Sequence, residues 1–161
     1  MAILIGANLT RTYTAAQLAL EGPCQAGDYF FGTGGKVYKF VKFNNGAGNV
    51  AAVAGNVCYY YAVSGASAGQ TTEVTMDVTD SGGIGAGVFQ SVPADGEYCW
   101  IQIKGVATIT TALSAGADGN ALTAVGAQAD GTLDVSAAVT DAVVAYAIDA
   151  DAKIIFCDFP F

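Results

Sequence analysis

The chain has 161 residues, hydrophobic at 53% and charged at only 12%, with a net charge of −8 and no histidine. That size suits one domain with a real core. The missing histidine removes the commonest general acid/base and metal ligand and excludes Ser–His–Asp and Cys–His catalysis.

Met1–Leu9 (MAILIGANL) is an apolar leader that lacks the basic segment of a secretion signal. It is read either as an arm laid on a neighbouring subunit, with Ile3, Leu4 and Ile5 as candidate partner contacts, or equally as a first strand of its own domain. Thr14 and Gln17 have capping-box spacing and Gly22–Pro23 is a stop signal, so residues 15–21 are predicted to form a short helix. Residues 1–22 are thus read as an arm plus helix, and residues 23–161 as one β-rich domain.

GTGGK at 32–36 lacks both the first glycine and the Ser/Thr of a phosphate loop, and is read as a turn opening a strand at 37–43. Lys36 and Lys42 face one way on that strand and Lys39 the other. They are expected to solvate a sheet edge or to contact an acidic partner. NNGAG at 44–48 is a turn. Gly46, Gly48 and Ala51 fit a loose dinucleotide fingerprint, but no helix follows, so no nucleotide site is expected.

A second strand is predicted at 57–63 and a third at 73–78. Tyr59, Tyr60 and Tyr61 cannot share one strand face, so one side of this run is read as core or as a subunit contact. SGGIGAG at 81–87 is expected to be an irregular surface loop because of its glycines. Three Ala-Asp-Gly triplets, at 94–96, 117–119 and 129–131, are turn signals, each followed by strand-like sequence.

The segment 97–113 alternates almost throughout. Cys99, Ile101, Ile103, Ala107, Ile109 and Leu113 lie on one parity; Tyr98, Trp100, Gln102, Lys104, Thr108 and Thr110 lie on the other. It is predicted to be a long strand that buries one face and offers the other, bent at Gly105 or passing there between sheets. Valines and alternation favour a strand over a helix for 136–146. Residues 142–148 and 153–159 read as a hairpin across DADA, and the aromatic tail, with Phe159 and Phe161, is expected to dock on its own or another subunit.

Turn signals at this density predict an all-β, single-domain antiparallel sandwich or partly closed barrel. The carboxylate pairs Asp95/Glu97 and Asp149/Asp151 have a spacing that could serve hydrolysis, but sit at turns where aspartate caps backbone. Four scattered cysteines are read as reduced, structural thiols, with Cys58, Cys99 and Cys157 in apolar strand-like runs; oxidation would leave three pairings open. No enzymatic activity, cofactor or metal is expected. A single arginine and an acidic balance argue against nucleic acid, and no apolar run is long enough to cross a bilayer. High apolarity with few charges predicts an oligomer.

GGKVYKFVKFN at 34–44 and YCWIQIKGVATITTAL at 98–113 resemble the decoration (cement) proteins of tailed-bacteriophage heads, the outer head accessory proteins. The likeness continues through AGADGNALTA, ADGTLDV and AVVAYAIDADAKIIF. It lies in the order of an aromatic-bearing strand, a glycine, a Val/Thr-rich strand and Gly-Asp turns. Residues 1–21 and 81–87 have no counterpart. The resemblance implies a β-rich subunit, often trimeric, made in the host cytoplasm and bound to major capsid protein on the outer surface of the virion. It implies no catalytic residues. The alternative is a carbohydrate- or receptor-binding β-sandwich of a tail fibre or cell surface, with Tyr98 and Trp100 stacking on sugars.

Overall fold

The computed structural model describes residues 6–22, 24–62 and 70–160. Its one α-helix, α1 (Ala15–Glu21), begins at a complete capping box. The Thr14 hydroxyl accepts from the Gln17 N–H, the Gln17 side chain accepts from the Thr14 N–H, and Gly22 ends the helix in the left-handed conformation.

Ten strands follow: β1 (Tyr29–Phe31), β2 (Val37–Phe43), β3 (Val57–Tyr60), β4 (Glu73–Thr75), β5 (Gly85–Phe89), β6 (Tyr98–Thr108), β7 (Ala121–Thr123), β8 (Asp134–Val135), β9 (Val143–Asp149) and β10 (Ile154–Asp158). They form one sheet in the order β1-β2-β4-β3-β5-β6-β10-β9-β7-β8, with a further pairing of β2 to β6. That extra pairing closes β2, β4, β3, β5 and β6 into a five-stranded barrel. β2 and β4 run parallel, and the other described pairings are antiparallel. The chain is therefore all-β, with β10, β9, β7 and β8 extending from the barrel as an open sheet.

β6 belongs to both parts. Gln102 pairs with Tyr38 of β2 on one edge and Val88 of β5 on the other. By Lys104, β10 has replaced β5, and it stays paired through Thr108. The transition is marked by Ile103, an extra residue in the β2–β6 register, and by Gly105 at φ +89°. A Cβ at Gly105 would lie 3.2 Å from the Gly35 carbonyl oxygen and the Lys36 Cα, so glycine is needed for conformation and for space. The strand thus passes from barrel to open sheet at the predicted glycine.

The alternation of β6 has a different outcome in its two halves. From Lys104 onward it alternates exposed and buried, as expected for a one-sided sheet. From Cys99 to Ile103 every residue is buried. The side meant to be offered is covered: Trp100 and Phe40 pack with Tyr13, Cys24 and Tyr38, backed by Ala7, Leu9, Leu18, Phe30 and Tyr98. The chain before β1 reaches across the barrel's outer face, pinned where Tyr13 and Tyr98 exchange backbone hydrogen bonds of 2.9 and 2.8 Å. The larger core cluster runs from barrel residues such as Phe43, Tyr59, Phe89 and Ile101 to the inner face of the open sheet at Leu122, Ala145, Ile155 and Phe159.

SGGIGAG is not a surface loop. Its second half opens β5, a fully buried barrel strand. A Cβ at Gly87 would approach the Gln102 carbonyl oxygen to 2.8 Å, and one at Gly85 would meet the Phe159 ring at 3.0 Å. Here glycine answers a close approach of neighbours, not a need for mobility. The hairpin of β9 and β10 forms as expected, with a register shift beside Ile154. All four cysteines are free and buried.

Candidate interaction surface

Several residues singled out as contacts are core. β2 is no edge strand: it pairs with β1, β4 and β6. Lys39 is consequently buried, and its Nζ donates to the Tyr60 hydroxyl at 3.1 Å and the Thr71 carbonyl at 2.6 Å. The rings of Tyr60 and Tyr29 lie 5.1 and 5.8 Å from the amine. Burial pulls the Lys39 pKa below its ordinary value. The aromatic faces and carbonyl offset part of that cost, so this lysine is a tie within the barrel, not a solvating charge. Lys42 stays half-buried 3.8 Å from Glu73, and Lys36 is half-buried at the start of β2.

The tyrosine run is also mostly internal. Tyr59 is fully buried; its hydroxyl donates to the Thr132 carbonyl at 2.6 Å and accepts from the Thr132 N–H at 2.9 Å. Burial raises its pKa. Tyr60 points to Lys39. Tyr61 alone is half-exposed, donating to the Asn44 carbonyl at 3.4 Å, and burial pushes its pKa up to about 12. Phe159 is buried against Gly85, so the tail docks on its own subunit there. Trp100 is covered as well and offers no ring for stacking on a sugar. Ile3, Leu4, Ile5 and Phe161 lie outside the described residues.

The loops that suggested chemistry bind the protein's own backbone. In the glycine loop after β2, the Ala47 N–H donates to Asp80 and the Gly48 N–H to Asp77, both at 2.9 Å. The amides that a phosphate would need are thus taken by carboxylates. Asp77 also accepts from the Thr79 hydroxyl and N–H. Burial alone would raise its pKa; these hydrogen bonds outweigh that and hold it below the ordinary carboxylate value. The three Ala-Asp-Gly turns act alike. Asp95 accepts from Asn45, Asp118 from Ala150 and Asp130 from Val78, each a backbone N–H distant in sequence. Glu97 and Asp149 likewise cap Ala94 and Ala152. Among the described residues, no group of acids and cysteines is arranged to hold a metal ion, and no helix is long and apolar enough to cross a membrane.

What remains is the outer face of the open sheet. Phe156 of β10 stands opposite Val106 of β6 on one side and Tyr146 of β9 on the other, and Tyr146 faces Ala121 of β7. Val106, Phe156 and Tyr146, each 44–46% exposed, form a cross-strand apolar row, and Ile148, equally exposed, adjoins it at the register shift between β9 and β10. Two register positions away, on the same face, Lys104 pairs with Asp158. Beyond that ion pair lies a groove of about 680 Å³ whose walls include Tyr29, Phe31, Val37 and Val143, with Phe159 and Pro160. Phe31, 74% exposed, stands at the groove on β1, an edge strand. The alternation of 97–113 and of the last hairpin carried the signal for this face. Phe31 had none, because a three-residue strand leaves no pattern.

Chemically, the strip can bury apolar area and form a few hydrogen bonds and ion pairs. No family model, curated protein or solved structure matches this chain.

Proposed function

We propose that this protein is a decoration subunit of a tailed-phage head, assembled as a homotrimer on the outside of the shell, where it ties neighbouring major capsid proteins together. One observation supports the reading above others. The segments that resemble decoration proteins, one at 34–44 and the rest between 98 and 156, hold β2, β6, β7, β8, β9 and β10, which lie side by side as β2-β6-β10-β9-β7-β8. The likeness therefore concerns one contiguous piece of sheet. That piece carries the Val106–Phe156–Tyr146 row.

The role is mechanical and uses no reactive group or cofactor. A subunit seated across a capsomer seam adds its contacts to those that must break when capsomers separate. A specific contact buries ~800 Å² per partner, and many symmetry-related copies multiply the effect over a shell. A barrel with a covered outer face, joined through one strand to a sheet with an open one, is a stiff body with a surface to spare.

The test is to mix purified protein with undecorated phage heads and reconstruct the product by electron microscopy. Ordered added density at symmetry-related outer sites is expected. Bare shells across the plausible hosts would overturn the proposal.

A further inference from the structure

We infer that the strip running from Phe31 through the Lys104–Asp158 pair to Ile148 is where copies of this chain pack against one another. The inference rests on the homo-oligomeric part of the reading above and is independent of the shell partner.

Area is the first argument. Four aromatic side chains of ~150–250 Å² each, together with Val106, Val143 and Ile148, are partly exposed, so the strip offers roughly 500 Å² of apolar surface. That lies at the upper end for a monomer, and it makes up much of the ~800 Å² that one side of a stable interface buries. Its residues sit on hydrogen-bonded strands or against them, so little ordering cost accompanies docking.

Charge is the second argument, and it selects the occupant. The protein carries a net charge of −8, and a basic partner would be drawn to acidic surface. The charged pair within this strip is one lysine and one aspartate, side by side on β6 and β10 and about half exposed. A neutral apolar face holding one charge of each sign can meet another copy of this chain without opposing like charges. In a closed cyclic assembly Lys104 of each copy can lie against Asp158 of the next while the apolar rows meet. Phe31, projecting beside the groove, is the side chain placed to fill a neighbour's groove.

Sedimentation velocity over a concentration series tests this, using the full chain, with the near-ultraviolet signal of Trp100 reporting the fold. The wild type is expected to sediment as a closed oligomer. Phe156→Glu and Tyr146→Glu should each raise the dissociation constant by ~100-fold or more, because a charge without a partner would be buried. Lys104→Asp should weaken association, and the double exchange Lys104→Asp with Asp158→Lys should restore it. That exchange alters only exposed side chains, so it decides the matter even if a glutamate variant fails to fold. A wild type that is monomeric at every concentration would overturn the inference. So would an oligomer indifferent to the charge exchange, or one dissolved by deleting residues 1–5 but not by face variants. None of these outcomes changes whether monomeric protein binds phage heads.

Discussion

The two halves of β6 carry the same alternation but live in different surroundings. In the barrel half, Trp100 and Gln102 stand on the parity that should face water, yet both are buried. The chain before β1 covers Trp100. The Gln102 amide donates to the Lys104 and Val106 carbonyls at 3.1 and 3.0 Å, bracing the strand around Gly105. In the open-sheet half, Val106 and Thr108 continue the same parity and stay exposed. A period of two therefore says which residues share a side, whereas coverage from elsewhere in the chain decides whether that side is wet. The covered half holds the molecule together, and the uncovered half is free to meet something else.

That contrast can be broken at its strongest point with Trp100→Ala. The ring packs on Phe40 at a centroid separation of 5.0 Å and closes the smaller core, so a loss of ~3–5 kcal/mol is expected in urea titration. The next effect comes from Gly87→Ala on β5. The added carbon would press on the Gln102 carbonyl and the Ile101 side chain, at a cost of ~1–3 kcal/mol with the denaturant slope unchanged.

A smaller effect should appear with pH. Asp77 has a folded pKa below its ordinary value, so its stabilisation is complete above the unfolded carboxylate pKa and is lost as pH falls through the folded one. Its contribution should thus be constant from neutral pH down to the unfolded carboxylate value and decline only below it, and Asp77→Asn should flatten part of that acid decline. Smallest of all, Thr108→Ala, on the same strand and parity as Trp100, should change stability by less than ~1 kcal/mol. If the two alanine variants of β6 cost the same, the distinction between covered and uncovered halves fails.

Local rules were legible in the sequence. The capping box at Thr14 and Gln17, the strand at 37–43, the final hairpin and the three Asp-Gly turns all formed where their residues indicated, because each depends on chemistry within a few positions. The glycines of the Asp-Gly turns are all at positive φ. Long-range coverage was not legible. Nothing in KVYKFVK tells that Lys39 will sit between two tyrosine rings, since that depends on β3 and the segment at 71 arriving beside it. SGGIGAG misled for a related reason. Glycine signals flexibility and close packing with the same letter, and only the neighbours Gln102 and Phe159 distinguish them. The open-sheet face was half visible: its parity could be read from 97–113, but its union with Phe31 required the barrel to close.

The passage of β6 from one assembly to the other has a consequence for how the molecule yields. A single backbone is the shared wall of two rooms. Withdrawing it from beside β2 and β5 would also leave β10 without its neighbour, and through β10 would loosen β9. Neither room can be vacated while the other stays furnished. A tug on the outward sheet is therefore resisted by the hidden barrel as well.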